Sequence, residues 1–119
     1  TYIARSKIIQ SVEFIRPGIA VASGEQIIYD SVLIAQTADI LLTMKDIGAA
    51  FVIAHRSDGL IGISARSLGE VNVQLIMEQL GGGGHLTNAA TQLVASSIDE
   101  AKTRLVAAIT ETVEGSQQS

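Results

Sequence analysis

Apolar positions switch along the chain between a period of two and a period near 3.6, and the switches divide it into strands and helices. Residues 1–10 have the pattern of a short helix, which we read as a connector from a preceding domain. Residues 12–15 and 19–22 are strand-like. Pro17-Gly18 between them predicts a bend, because proline in a sheet marks an edge or a bulge. Ser23-Gly24-Glu25 reads as a turn. Asp30 or Ser31 can cap a helix running to about Asp46, with Leu33, Thr37, Ile40, Leu41 and Met44 on one face and Gly48 as its stop. Two apolar runs, 50–56 and 60–66, flank Ser57-Asp58-Gly59, a hairpin signal. Alternation sets Leu60, Gly62, Ser64 and Arg66 on one face and Ile61, Ile63 and Ala65 on the other.

Residues 71–80 return to helical spacing, with Val73, Ile76, Met77 and Leu80 as the apolar stripe. A run of four glycines follows, then a strand over 89–95. Ser97-Ile98-Asp99-Glu100 has the form of a capping box and opens a last helix to about Val113, with Ile98, Ala101, Leu105, Ile109 and Thr112 inward. Residues 115–119 read as a polar, frayed tail. After the opening helix the order is β, α, β, β, α, β, α. It predicts an α/β domain over residues 11–114: a mixed sheet of four to five strands flanked by helices.

The chain has 119 residues, 47% of them apolar, which suffices for one domain with an aliphatic core. It opens at Thr1 rather than methionine, which points to a piece of something longer. The absence of cysteine excludes disulfides, thiolate zinc sites and cysteine nucleophiles. No apolar run approaches the roughly 18 residues of a membrane span. A net charge of −4 argues against a general nucleic-acid binder and for a small ligand, met by a few placed cations and backbone donors.

The costly feature is Gly81-Gly82-Gly83-Gly84 followed by His85, Thr87 and Asn88. Each glycine has more conformations to lose on folding than any other residue. What the run offers is bare backbone N–H groups that can cradle an anion or let a ligand approach. The bland alternative is a helix cap and turn, for which one glycine suffices. The run follows a helix and precedes a strand, the reverse of a phosphate loop feeding a helix, and lacks the Gly-Lys-Ser/Thr ending. His85, at the exit of the run, is either structural or a ligand contact. Arg66 can pair with phosphate through parallel hydrogen bonds, with Ser64 and Asn72 completing the shell, or can be a solvated strand-end charge. His55 and Arg56 point to opposite faces and stay outside the candidate set. No carboxylate–histidine cluster has metal-ligand spacing, so the residues describe a ligand-binding half-site rather than a self-sufficient enzyme.

The run Gly81-Gly82-Gly83-Gly84-His85-Leu86-Thr87-Asn88-Ala89-Ala90, with Ile63-Ser64-Ala65-Arg66-Ser67 and Val71-Asn72-Val73 before it, resembles the C-terminal, DHH-associated domain of DHH-superfamily phosphodiesterases. The likeness extends from Val12 to about Val113. It is closest to the membrane-anchored cyclic di-AMP phosphodiesterases of Gram-positive bacteria, in which four glycines and Leu-Thr-Asn-Ala-Ala-Thr are typical. Relatives that cleave short RNA or adenosine bisphosphate usually carry another glycine where this chain has Thr91.

The resemblance implies a two-domain enzyme. An N-terminal DHH domain in cis would hold two manganese ions and activate water, two metals stabilising both attacking and leaving oxygens. This chain would form the other wall and contribute no catalytic residue and no metal ligand: Gly82, Gly83, Gly84 and His85 around phosphate or base, Arg66 and Asn72 on the far phosphate, Ser64 beside them. Cyclic di-AMP or a short adenylate would be the ligand, linear di-adenylate the product, and the isolated fragment inactive. The parent would be membrane-anchored and a possible homodimer, with this domain cytoplasmic and free of direct membrane contact. Within the superfamily the alternatives are an oligoribonuclease or adenosine bisphosphate phosphatase; outside catalysis, a nucleotide-sensing or RNA-binding module. In this reading Gly83→Val acts by blocking positive φ and close approach.

Overall fold

A computed structural model describes residues 2–118, with side chains described for 5–24 and 30–115. The elements are α1 (Tyr2–Gln10), β1 (Glu13–Arg16), β2 (Ile19–Tyr29), α2 (Ser31–Leu42), β3 (Ala49–Arg56), β4 (Ile61–Ser67), α3 (Val73–Gln79), β5 (Gly83–His85), β6 (Asn88–Leu93) and α4 (Ile98–Gln118). Six strands form one mixed sheet in the order β1-β2-β3-β4-β6-β5. Only β2 and β3 pair in parallel, joined through α2; the other neighbours are antiparallel.

The expected α/β class and mixed sheet are found, with six strands instead of four to five. The additional strand is β5, made from the end of the glycine run itself. Ser23-Gly24-Glu25 is no turn: β2 runs through it to Tyr29. Ile19 to Gly24 pair with Ala49 to Ala54, and the ladder resumes at Ile28 and Tyr29 after a register shift. Pairing with the central strand overrides the local turn signal. Pro17-Gly18 forms the tight β1–β2 connection, with Gly18 at φ 81°, and β1 is an edge strand, as a proline there suggests.

Helix α2 stops four residues before the expected end. Asp30 caps its start, accepting from the Leu33 N–H at 2.8 Å. At the other end the Thr43 hydroxyl donates to the Ile40 carbonyl at 2.6 Å, and Asp46 takes a left-handed conformation at φ 68°. The chain turns there, before Gly48, so that Ile47 can be buried at the start of β3. The inward face is therefore Ile34, Thr37, Ala38 and Leu41, while Met44 is exposed. Helix α4 extends through Gln118, so residues 115–118 are helical rather than a frayed tail. The Ser97 hydroxyl caps it by accepting from the Glu100 N–H at 3.0 Å. The Glu100 carboxylate reaches Ser96, one residue before the position a capping box would use. Those bonds from Ser96 hold the Glu100 carboxyl below its ordinary pKa.

Two cores lie on opposite faces of the sheet. On one, Phe51, Ile53, Ile61 and Ile63 pack against Ile76 and Met77 of α3 and Leu105 and Ile109 of α4. On the other, small strand residues (Ala20, Ala22, Ala50, Val52 and Ala54) receive Ile8 of α1 and Ile34, Ala38 and Leu41 of α2. Strand β3 is buried on both faces over its first six residues, as its unbroken apolar run requires. Each fully buried large aliphatic or aromatic side chain stabilises by about 1.5–3 kcal/mol, so the fold owes its cohesion to these cores and not to the glycine run.

Coverage of the sheet is unequal. Helix α2 lies over β3 and β4 and α1 over β2. The same face of β6, beyond them, is open: burial along β6 alternates strictly, with Asn88, Ala90 and Gln92 exposed and Ala89, Thr91 and Leu93 buried.

Candidate functional site: an open platform beside the helix layer

Strand register assembles the site. Directly opposite residues of an antiparallel pair share a face. Arg66 of β4 stands opposite Asn88 of β6, and Asn88 opposite His85 of β5. One row therefore carries a guanidinium, a carboxamide and an imidazole across three strands, about 10 Å from end to end at the usual strand spacing. The neighbouring row is Ser64, Ala90 and Gly83, paired in the same way. It has almost no bulk. The two rows together make a floor of small residues with a polar border, exposed at Asn88, Ala90 and His85.

Arg66 is fixed from the protein side. Its Nε donates to Asp39 Oδ1 of α2 at 2.7 Å, and its Nη1 to the carbonyl of Ala65 at 2.9 Å. Its side chain is 12% exposed, against 61% for Asp39. Arg66 is thus a largely covered cation at the edge of α2, where the helix layer ends and the open platform begins.

Three glycines of the run have separate structural jobs and the fourth has none, and the run is not a nest closed around an anion. Gly81, at φ 86°, ends α3, and its N–H donates to the Glu78 carbonyl at 3.1 Å. Gly82 lets β5 lie against β6: a Cβ there would stand 2.2 Å from the Ala90 carbonyl oxygen and 2.5 Å from Thr91 Cβ. Gly84 combines φ 145° with a Cβ position 2.5 Å from Ala89 Cα. Gly83 is different. A Cβ there would meet nothing within 4 Å, and its φ lies outside the left-handed region, contrary to the expectation of positive φ. The protein's own packing gives no reason for glycine at 83.

The end of the platform is braced by the chain around it. The β5–β6 turn is Leu86-Thr87. The Leu86 carbonyl accepts from the Val73 N–H at 3.0 Å, and the Thr87 carbonyl from the Ser67 N–H at 3.0 Å. The buried Thr91 hydroxyl donates to the Leu80 carbonyl at 2.9 Å, tying the end of α3 to β6.

Of the residues singled out by sequence, Arg66, Gly83 and His85 come together on the platform, with Gly82 and Gly84 shaping its edge; Ser64 stands in the same row but is buried, in the strand that α2 covers. Asn72 does not join them. It is the N-cap of α3, on the opposite side of the sheet from α2, and its Oδ1 accepts from the Leu75 N–H at 3.2 Å. Asn72→Ala should therefore lower stability by about 1 kcal/mol, whereas Asn72→Ser should hold the cap and the melting temperature. Thermal unfolding of the two variants checks this. Sequence reasoning left Asn88 and Asp39 outside the set. Alternation along β6 could have placed Asn88 on the His85 face; nothing local could have placed Asp39, 27 residues before Arg66.

Arg56 and Asp58 belong to the hairpin instead. The Arg56 guanidinium bonds the Asp58 carboxylate at 3.1–3.2 Å and, with the Leu60 N–H, holds that carboxyl below its usual pKa. Among the described residues no three His, Cys, Asp or Glu side chains gather as a metal site. No helix among the described residues is long and apolar enough to cross a membrane.

The chain is 56% identical over 115 residues to the cyclic-di-AMP phosphodiesterase GdpP of Geobacillus thermodenitrificans, covering 96% of this chain and 18% of that protein. It is 54% identical to GdpP of Bacillus subtilis, over 99% of this chain and 18% of the relative. The figure for the cyclic-di-AMP phosphodiesterase PdeA of Listeria monocytogenes is 53%, over 92% and 17%. The chain thus spans less than a fifth of the length of these relatives.

Among solved structures, an exopolyphosphatase-related protein from Bacteroides fragilis superposes with a TM-score of 0.77 at 17% identity, over 92% of this chain and 34% of its own. The C-Ala domain of alanyl-tRNA synthetase from Aquifex aeolicus gives 0.60 at 18% identity, over 83% and 97%. At such identities these two speak for the fold alone. The DHHA1 domain family matches residues 17–115, which take in β2 to β6, α2, α3 and most of α4, and the chain belongs to that family.

Proposed function

We propose that this chain is the substrate-binding wall of a phosphodiesterase that hydrolyses cyclic di-AMP to linear di-adenylate, the metals and the activated water being supplied by a DHH domain elsewhere in the parent protein. The observation that carries the reading is the alignment of Arg66, Asn88 and His85 beside the bare row Ser64, Ala90 and Gly83. A flat base or a sugar–phosphate can lie on such a floor while the border donates to it. Arg66 offers Nη2 hydrogens that form no hydrogen bond among the described residues, a charge-assisted donor for a phosphate oxygen. His85 and Asn88 add side-chain donors at the far end of the row. The names of the relatives supply the ligand class, since three cyclic-di-AMP phosphodiesterases exceed half identity over nearly all of this chain.

In this mechanism the chain's residues bind and orient. The platform holds the cyclic dinucleotide by one phosphate and one nucleoside, leaving the other phosphodiester to the facing domain. Holding the reacting group in place converts a bimolecular encounter into an effectively intramolecular one. The chain by itself is inactive in this reading, the parent is anchored to the membrane through other segments, and this domain is cytoplasmic.

Two measurements test it. Titration of the 119-residue chain with cyclic di-AMP, without metal, should shift the amide signals of Gly83, His85, Asn88 and Arg66 at up to millimolar ligand. Affinity should be weak, because half a cleft leaves much of the ligand in water. The full-length protein should release linear di-adenylate from cyclic di-AMP with a higher kcat/KM than it shows on short oligoadenylates or adenosine bisphosphate. Unmoved signals would remove the binding reading, and a preference for RNA would transfer the protein to the oligoribonucleases.

A further inference from the structure

The Arg66–Asp39 pair has a sense that a simple surface ion pair lacks. Asp39 sits on α2, in the layer that covers β3 and β4, and reaches the guanidinium by the Nε edge at 2.7 Å. The Ala65 carbonyl takes Nη1. Both contacts come from the protein, and Nη2 forms no hydrogen bond among the described residues.

We propose that Asp39 is a positioning residue for substrate binding: it locks the Arg66 side chain at the border of the platform with Nη2 presented to a phosphate. The inference rests on the function proposed above and adds a residue to it. An arginine free to explore its rotamers would lose that freedom on meeting ligand, whereas one already held by two contacts loses little more. The carboxylate also carries a cost, since its charge opposes that of a bound phosphate. Asp39 is 61% exposed, so water and salt screen that repulsion, and the short contact to Nε is retained. Geometry, rather than charge, is what Asp39 contributes.

Two substitutions separate these effects. Asp39→Ala removes the acceptor, and Asp39→Asn keeps an oxygen for the Nε hydrogen while discarding the charge. In the full-length enzyme, Asp39→Ala should raise KM for cyclic di-AMP about three- to tenfold with kcat changed far less, and Asp39→Asn should restore KM to the wild-type value or below it. In the 119-residue chain, the Arg66 Nε–H resonance should exchange slowly in the wild type and in Asp39→Asn, and rapidly in Asp39→Ala, while melting temperatures differ by no more than about 4–8 °C.

Equal gains in affinity for both variants would show that Asp39 merely competes with the ligand, and overturn the proposal. So would wild-type KM in both, provided Arg66→Ala still abolishes binding. If Arg66→Ala itself binds and turns over cyclic di-AMP normally, the platform reading falls, and this inference with it.

Discussion

Replacing Gly82 by alanine should destabilise the fold, while the same change at Gly83 should leave it intact. At position 82 the new methyl group would lie 2.2 Å from the Ala90 carbonyl oxygen and 2.7 Å from Thr91 Cα, both backbone atoms of the neighbouring strand. Neither can step aside without breaking the β5–β6 pairing. The Gly82 N–H is also committed, donating to the Met77 carbonyl at 2.8 Å. Overpacking of this kind costs about 1–3 kcal/mol or more, and each kcal/mol lowers the melting temperature of a small domain by about 4–8 °C.

Gly83 has open space where a side chain would go. Alanine or valine there should change stability by no more than about 0.5 kcal/mol, and valine suits a strand. The valine would, however, stand up from the floor beside Ala90, where the ligand is proposed to lie. Gly83→Val should then reduce kcat/KM for cyclic di-AMP in the full-length enzyme by at least about tenfold, the equivalent of 1.4 kcal/mol, with an unchanged melting curve. Wild-type turnover in that variant would mean that no ligand approaches the strand at this point.

Arg66→Ala is the other large effect. A hydrogen bond to a charged group is worth about 1.5–3 kcal/mol, so its loss should lower kcat/KM about 10- to 150-fold. Stability should fall by no more than about 1–2 kcal/mol, part of it from the loss of a side chain that is only 12% exposed. Asp39 is already 61% exposed and returns to water when its partner is removed, and exposed pairs contribute about 0–1 kcal/mol. Arg66→Lys should fall well short of rescue. A lysine has no planar fork with which to satisfy Asp39 and the Ala65 carbonyl while still presenting a donor to phosphate. Steady-state kinetics with thermal unfolding of the same preparations decide the matter; a parallel loss of activity and stability would make Arg66 a structural residue.

Both expectations draw on features that differ in how far the chain alone announces them. Alternation along 60–66 separated the Ser64 and Arg66 face from the core face of Ile61, Ile63 and Ala65, and the structure keeps that division. Helical spacing in 71–80 selected the buried stripe Val73, Ile76, Met77 and Leu80. The Asp-Gly turn placed the β3–β4 hairpin. These are local signals: period, turn chemistry and caps act within a few residues, so a linear reading suffices. The glycine–histidine run likewise identified the family by itself.

Where two segments compete for the backbone, the local reading fails. Ser23-Gly24 looks like a turn but is carried into β2 by its parallel partner, and the end of the glycine run is drafted into the sheet because β6 offers an antiparallel edge. Asn72 carries the family resemblance equally well as a ligand residue or as a cap, and only the position of the Leu75 N–H assigns its oxygen. Register between strands far apart in the chain is settled by which faces must be buried, and a slip of one residue would turn every side chain over. That register sets Arg66, Asn88 and His85 abreast, and the packing of α2 brings Asp39 to Arg66. The sequence by itself determined that a glycine–histidine run stands on an α/β scaffold. Which glycine has open space beside it, and which carboxylate holds the arginine, were decided by tertiary contacts, because both depend on distances between residues that no local periodicity relates.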